Sequence, residues 1–225
     1  SDIKDFTELT DRLEPEVLIS LLNSFLNEMS KIALKYGGTI DKFVGDAILI
    51  FFGDPETNGE KADATSCVLM ALEMRERMKF MRQIWEDEGI SKPLNIRIGI
   101  NTGYCNVGNF GSEDRLDYTI IGGEVNLASR LESNASVGQI LVSHETYSLI
   151  KNSITCEERE EINVKGLAHK VRTYQVIDKK EKNEKGVTKL KDNYEGFSLS
   201  IDLDVSRKAE VIASLKNALA KIQKN

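Results

Sequence analysis

Residues 39–53 read TIDKFVGDAILIFFG, two runs rich in β-branched and aromatic residues joined by Gly45-Asp46. A two-residue Gly-X link between such runs predicts a hairpin with a II′ turn, because glycine reaches the positive φ of the first turn position without steric cost. Asp46 then stands at the hairpin tip. Upstream, Val17, Leu18, Leu21, Leu22, Phe25, Leu26, Met29, Ile32, Ala33 and Tyr36 recur at helical spacing behind Pro15, and Gly37-Gly38 supplies a stop. A long amphipathic helix therefore leads into the hairpin. Downstream, 54–60 reads as a surface loop and 61–88 is helical again, with Ala64, Val68, Ala71, Leu72, Met78 and Met81 on one side.

Further along, LNIRIGINTG (94–103) alternates as a strand, and the glycine-rich stretch 101–123 reads as a strand with a loop or hairpin. EVNLASRLES (124–133) has helical spacing and ILVS (140–143) reads as a strand; a short helix near 144–151 and strands near 154–163 and 170–177 follow. The order helix, two strands, helix, strand predicts an α+β fold, an antiparallel or mixed sheet with helices on one face. Such a sheet needs an opening strand. The chain starts at Ser1-Asp2 without an apolar run before the first helix, so that strand is expected ahead of Ser1.

The 225 residues are 40% hydrophobic and 29% charged, the make-up of a folded globular protein. Thirty Lys and Arg against thirty-six Asp and Glu leave a net charge of −6, which excludes a nucleic-acid sleeve held by bulk charge; any phosphate binding must be local. Cys67, Cys105 and Cys156 are widely spaced and odd in number, so neither a disulfide framework nor a zinc cluster is expected. No apolar run approaches a bilayer span and SDIKDFT is unlike a signal peptide, so no membrane contact is expected from this segment. KKEKNEKGVTKLK (179–191) reads as a charged linker between a domain at 1–178 and a strand-helix tail at 192–225.

Either Asp2 or Asp46 alone reads as a solvated turn former, and Asn126 with Arg130, one helical turn apart, as a polar stripe. His144 and His169 lack carboxylate or Cys partners at ligand spacing, and Met70, Met74, Met78, Met81 and Trp85 read as core fillers. Five segments taken together say more: SDIKDFT (1–7), DKFVGDAILIFFG (41–53), IRIGINTG (96–103), DYTIIGGEVNLASRLES (117–133) and INVKG (162–166). In this order they resemble the catalytic domain of the class III nucleotidyl cyclases over about residues 1–178.

That resemblance implies a ferredoxin-like βαββαβ core with extra strands and helices. It implies that Asp2 and Asp46, with the Ile3 carbonyl, hold two Mg²⁺ or Mn²⁺ ions and that the turn through Phe6 and Thr7 offers amides to the phosphates. Asn126 then orients the ribose, Arg130 stabilises charge on the α-phosphate, and Arg97 and Lys165 grip the terminal phosphates. Lys42 matches the base-reading lysine of the family's adenylyl cyclases, which favours ATP. Thr119 stands where Asp is common, as in the bicarbonate-responsive subgroup related to soluble adenylyl cyclase. Departures are Asp5, where Gly commonly precedes Phe-Thr, and Leu167-Ala168 after the VKG triplet.

The function so implied is an adenylyl cyclase making 3′,5′-cyclic AMP and pyrophosphate from ATP. Its alternatives are a catalytically silent nucleotide-binding regulatory domain and a guanylyl or mixed-specificity cyclase. The family builds each site between two subunits and both residue sets occur in this chain, so a homodimer is expected. A cytoplasmic location, and a sensory or membrane part upstream, complete the expectations.

Overall fold

The computed structural model describes residues 1–11, 13–90, 94–164, 170–180, 189–194, 197–202 and 208–222. Asp2–Ile3 form a two-residue strand (β1), followed by a short helix Phe6–Thr10 (α1) and the long helix Pro15–Lys35 (α2). Pro15 suits the first turn of α2, where its missing N–H would have no intrahelical partner. Strands Thr39–Val44 (β2) and Ala47–Phe51 (β3) form the hairpin, with Gly45 at φ 63 in its turn. Then come helix Glu60–Asp87 (α3), strands Ile96–Ile100 (β4), Asn106–Ser112 (β5) and Arg115–Ile121 (β6), and helix Gly123–Asn134 (α4). Strand Ile140–Ser143 (β7), helix His144–Ile150 (α5) and strands Ile154–Ile162 (β8) and Val171–Lys179 (β9) complete the first compact unit, Ser1–Lys180.

Its main sheet runs β1-β4-β7-β9-β8, with β4 and β7 parallel and the other neighbours antiparallel. Asp2 pairs with Arg97, while the Ser1 nitrogen donates to the Ile48 carbonyl and the Ile48 N–H to the Ser1 carbonyl, both at 2.9 Å. β1 thus links the β2–β3 hairpin to the sheet edge and carries Asp2 toward the hairpin tip. Asp2–Ile3 stand at the sheet edge, where the fold calls for the opening strand that the sequence expects ahead of Ser1. Beside Ser1, the side chains of β3 and β4, Ile48, Ile50, Ile98 and Ile100 among them, line a cavity of about 430 Å³.

Helices cover both faces of the sheet, not one. Ile140 and Val142 of β7 join the large core of α2, α3 and α5, while Leu141, between them, joins Leu127 and Leu131 of α4 in a second cluster. A strand buried at all four positions is sandwiched, and the unalternating run ILVS carried that signal. Met70, Met74, Met78, Met81 and Trp85 are buried in the main core, as their spacing predicts. Among the described residues α2 is long and apolar enough to span a bilayer by length and composition. Its stripe Leu21, Phe25, Met29 and Ile32 is buried in the core, while Ile19 and Leu34 on the other side are exposed.

Phe6 and Thr7 open α1 rather than an irregular turn, and Asp5 caps it at φ 60, ψ 31, the left-handed region. Asp tolerates that region better than most residues but less well than glycine, which explains the departure at this position. Asp5→Gly is expected to keep the fold and shift stability by no more than about 1 kcal/mol, relief of strain opposing the entropy of a glycine. A thermal melt of the variant checks this; a drop of ten degrees would show that Asp5 does more than cap.

Residues beyond Lys180 form a second unit, Glu181–Asn225. Strand β9 runs to Lys179, and Lys189–Tyr194 (β10) pairs antiparallel with Phe197–Asp202 (β11) ahead of helix Lys208–Ile222 (α6). The tail is therefore a hairpin plus a helix rather than one strand plus a helix. KLKDNY has too few apolar residues to announce a strand, and its order comes from pairing with FSLSID.

Candidate active site

Two acidic side chains far apart in sequence meet at the end of β1. The Ile3 N–H donates to Asp46 Oδ2 at 3.1 Å, which draws the hairpin tip onto β1 beside Asp2. Partial burial, with the Asp2 carboxylate next to it, pushes the Asp46 carboxyl above its ordinary range, while the Ile3 amide opposes the rise. This charge pair suits a divalent cation. Among the described residues no group of three or more His, Cys, Asp or Glu forms a complete metal cage, and Asp2 with Asp46 is an acidic pair that could hold part of one ion's shell. Mg²⁺ accepts such a partial set, since it commonly binds one or two carboxylates and completes its shell with phosphate oxygens and water.

Arg97, expected at the terminal phosphates, is held at the same place. Its Nη2 lies 2.9 Å from Asp2 Oδ2, its Nε 2.5 Å from Glu132 Oε1, and its Nη1 donates to the Ser133 carbonyl at 3.1 Å. In this arrangement the guanidinium ties β1 to α4. Burial, and then the Asp2 charge, push the Glu132 carboxyl up, with Arg97 opposing. The period of β4 explains the placement: Ile96, Ile98 and Ile100 face the core, so Arg97 and Gly99 face α4.

α4 is fixed at its start by the Asn101 side-chain amide, which donates to the Glu124 carbonyl at 3.1 Å and to Glu124 Oε2 at 2.7 Å. Leu127 and Leu131 point inward, which leaves Asn126 and Arg130 exposed one turn apart, with no side-chain partner among the described residues. An amide and a guanidinium left free on a fixed helix can meet a ligand without first breaking other bonds.

Lys42 and Thr119 also come together, across β2 and β6. Thr119, only 5% exposed, donates its hydroxyl to Asp41 Oδ2 at 2.9 Å, and Lys42 Nζ lies 3.6 Å from the same oxygen. The structure thus assembles Asp2, Ile3, Asp46 and Arg97 in one place, Lys42 and Thr119 in a second, and Asn126 and Arg130 on α4. Phe6 and Thr7 sit in the first turn of α1. Lys165 and His169 lie outside the described residues.

This geometry accompanies a direct relationship: the family model of the adenylate and guanylate cyclase catalytic domain matches residues 1–178. The chain belongs to that family. The cyclase domain is similar to the crystal structure of the adenylyl cyclase CyaB from P. aeruginosa, at 63% identity and a TM-score of 0.77 over 79% of this chain and 90% of that one. It is also similar to the guanylate cyclase domain of RhGC from Catenaria anguillulae, solved with GTP, at 31% identity and a TM-score of 0.71 over 80% of this chain and 93% of that one. Among curated proteins, the terminal-differentiation-specific adenylate cyclase of Dictyostelium discoideum is 34% identical over 85% of this chain but only 9% of its own length. An adenylate cyclase of Mycobacterium tuberculosis is 32% identical over 80% of this chain and 39% of its own length. The cyclase domain therefore spans well under half of these relatives.

Sequence reasoning missed two site residues of the cyclase domain. Glu132 lies next to the buried Leu131, on the side of α4 that reaches β4, and a carboxylate flanking an apolar stripe was its only signal. Asp41 gave a fainter one, an acidic residue beside Lys42 within a β-rich run. Its orientation follows from a register shift between Ile40 and Lys42, which leaves Asp41 without a cross-strand partner.

Proposed function

We propose that this domain is an adenylyl cyclase that converts ATP to 3′,5′-cyclic AMP and pyrophosphate as a homodimer with its sites at the subunit interface. The observation that carries the reading is the meeting of Asp2 and Asp46, with the Ile3 N–H to Asp46 at 3.1 Å, in a chain that leaves the Asn126 and Arg130 side chains without a partner among the described residues. In the reaction the ribose 3′-hydroxyl gives its proton to water and its oxygen bonds to the α-phosphorus as the bond to the pyrophosphate oxygen breaks. Two Mg²⁺ or Mn²⁺ ions held by Asp2, Asp46 and the Ile3 carbonyl would supply Lewis-acid activation and charge neutralisation.

The chain's own residues do the rest. Arg130 donates to the α-phosphate oxygens as negative charge accumulates there, and Asn126 holds the ribose so that its hydroxyl faces phosphorus. Phe6 and Thr7 offer amides from the first turn of α1, and Lys165 meets the terminal phosphates. Lys42 donates to adenine N1, and the Thr119 oxygen accepts from the 6-amino group. Arg97 holds Asp2 and α4 in register. A cytoplasmic location, where ATP is available, belongs to the same proposal.

Cyclic nucleotide formation from ATP and from GTP, with Mg²⁺ and with Mn²⁺, over a range of protein concentrations tests the proposal. ATP turnover that exceeds GTP turnover and rises faster than linearly with protein is expected. A folded dimer that cyclises neither nucleotide would overturn it.

A further inference from the structure

Asp41 has no role in the reaction as set out above, yet it touches both residues that face the base. Its side chain is fully buried, with Oδ2 taking the Thr119 hydroxyl at 2.9 Å and lying 3.6 Å from Lys42 Nζ. Its other oxygen, Oδ1, is buried without a hydrogen-bond partner among the described residues. A buried carboxylate with few hydrogen-bond donors depends on each of them. The register shift at Ile40/Lys42 places it there, since a strand in regular register would give Asp41 an ordinary cross-strand position.

We infer that Asp41 sets the base preference of the site by fixing the hydrogen-bond polarity of Thr119 and the position of Lys42. This rests on the adenylyl cyclase reading above. A free threonine hydroxyl both donates and accepts, and so does not distinguish the 6-amino group of adenine from the 6-oxo group of guanine. A carboxylate only accepts, so the Thr119 proton is committed to Asp41 and the hydroxyl presents lone pairs alone. Lone pairs match the adenine amino donor and repel the guanine carbonyl. The Lys42 ammonium, anchored to the same carboxylate, matches the acceptor N1 of adenine and opposes the N1–H of guanine. One buried carboxylate thereby turns an ambiguous pair into an acceptor-donor pair complementary to adenine. Asp41 is a positioning residue; it acts on the base through Thr119 and Lys42.

The test compares the wild-type chain with Asp41→Asn, Thr119→Val and the double variant. The readouts are kcat/KM for ATP and GTP and calorimetric binding of the non-cyclising probes 3′-deoxy-ATP and 3′-deoxy-GTP. Asn keeps the shape of Asp but can donate to Thr119, which frees the hydroxyl to donate in turn. The ATP-to-GTP ratio of kcat/KM is expected to fall about tenfold in Asp41→Asn, with ATP losing more than GTP and the deoxynucleotide binding ratio moving alike. Thr119→Val should lower the ratio similarly, and the double variant should lose no more than the worse single one, because both act through one contact. Equal loss for both nucleotides would mark Asp41 as merely structural, and an unchanged ratio or multiplying losses would overturn the inference. A wild-type chain that fails to cyclise ATP is a separate failure, of the proposed function, and the binding ratios of the two probes then decide the role of Asp41 alone.

Discussion

An equimolar mixture of Asp46→Ala and Arg130→Ala chains is expected to recover about a quarter of the wild-type rate, because random pairing makes half the dimers mixed and each mixed dimer keeps one intact site of two. Each variant alone should be down at least about 10²-fold, the cost of removing a group that stabilises charge in the transition state. The reason lies in where the groups stand. Asp46 is drawn to β1 by the Ile3 N–H, whereas the Arg130 side chain lies on the exposed face of α4 with no partner among the described residues. In a site shared between subunits, the two substitutions damage the same site of a mixed dimer and spare the other. Rates measured before and after subunit exchange check this, with melting curves to show that both variants fold. No recovery from well-folded mixed dimers would mean that each site is built within one chain.

Gly99→Ala is expected to lower kcat/KM by about 10²-fold and stability by about 1–3 kcal/mol. A Cβ at Gly99 would stand 2.1 Å from the Glu132 nitrogen and 2.3 Å from the Ala128 carbonyl oxygen, both backbone atoms of α4 that no rotamer change can remove. The helix must back away from β4 by roughly 1 Å to restore van der Waals distance, the scale of misplacement that costs an active site most of its rate. The Arg97–Glu132 pair would stretch with it, and Asn126 and Arg130 would ride outward on the same helix. Activity and a thermal melt on the purified variant check both parts. Wild-type turnover in Gly99→Ala would show that the close approach of β4 and α4 does not set the site.

Much of the site could be read directly from the chain. The hairpin that presents Asp46 and the helix carrying Asn126 and Arg130 on one face followed from local pattern, and the family resemblance singled out Lys42 and Thr119, which meet at Asp41. Those features depend on turn chemistry and helical period, which neighbouring residues specify. Three others needed the folded molecule. Arg97 proved to be tied to Asp2 and Glu132, residues on two other elements, and no pattern within β4 contains them. Asp41 was turned toward Thr119 by a slip in strand register, a consequence of how β2 meets β3 and β6. The second helical layer over the sheet showed only as a strand without alternation until Leu141 was seen against Leu127 and Leu131. By itself the sequence determined most of the secondary elements in 1–178 and the family, because these rest on short-range periodicity and ordered motifs; β10 and α1 emerged only in the folded chain. Only the tertiary structure decided which buried charges meet, because desolvation and hydrogen-bond partners arise between residues that the chain holds far apart.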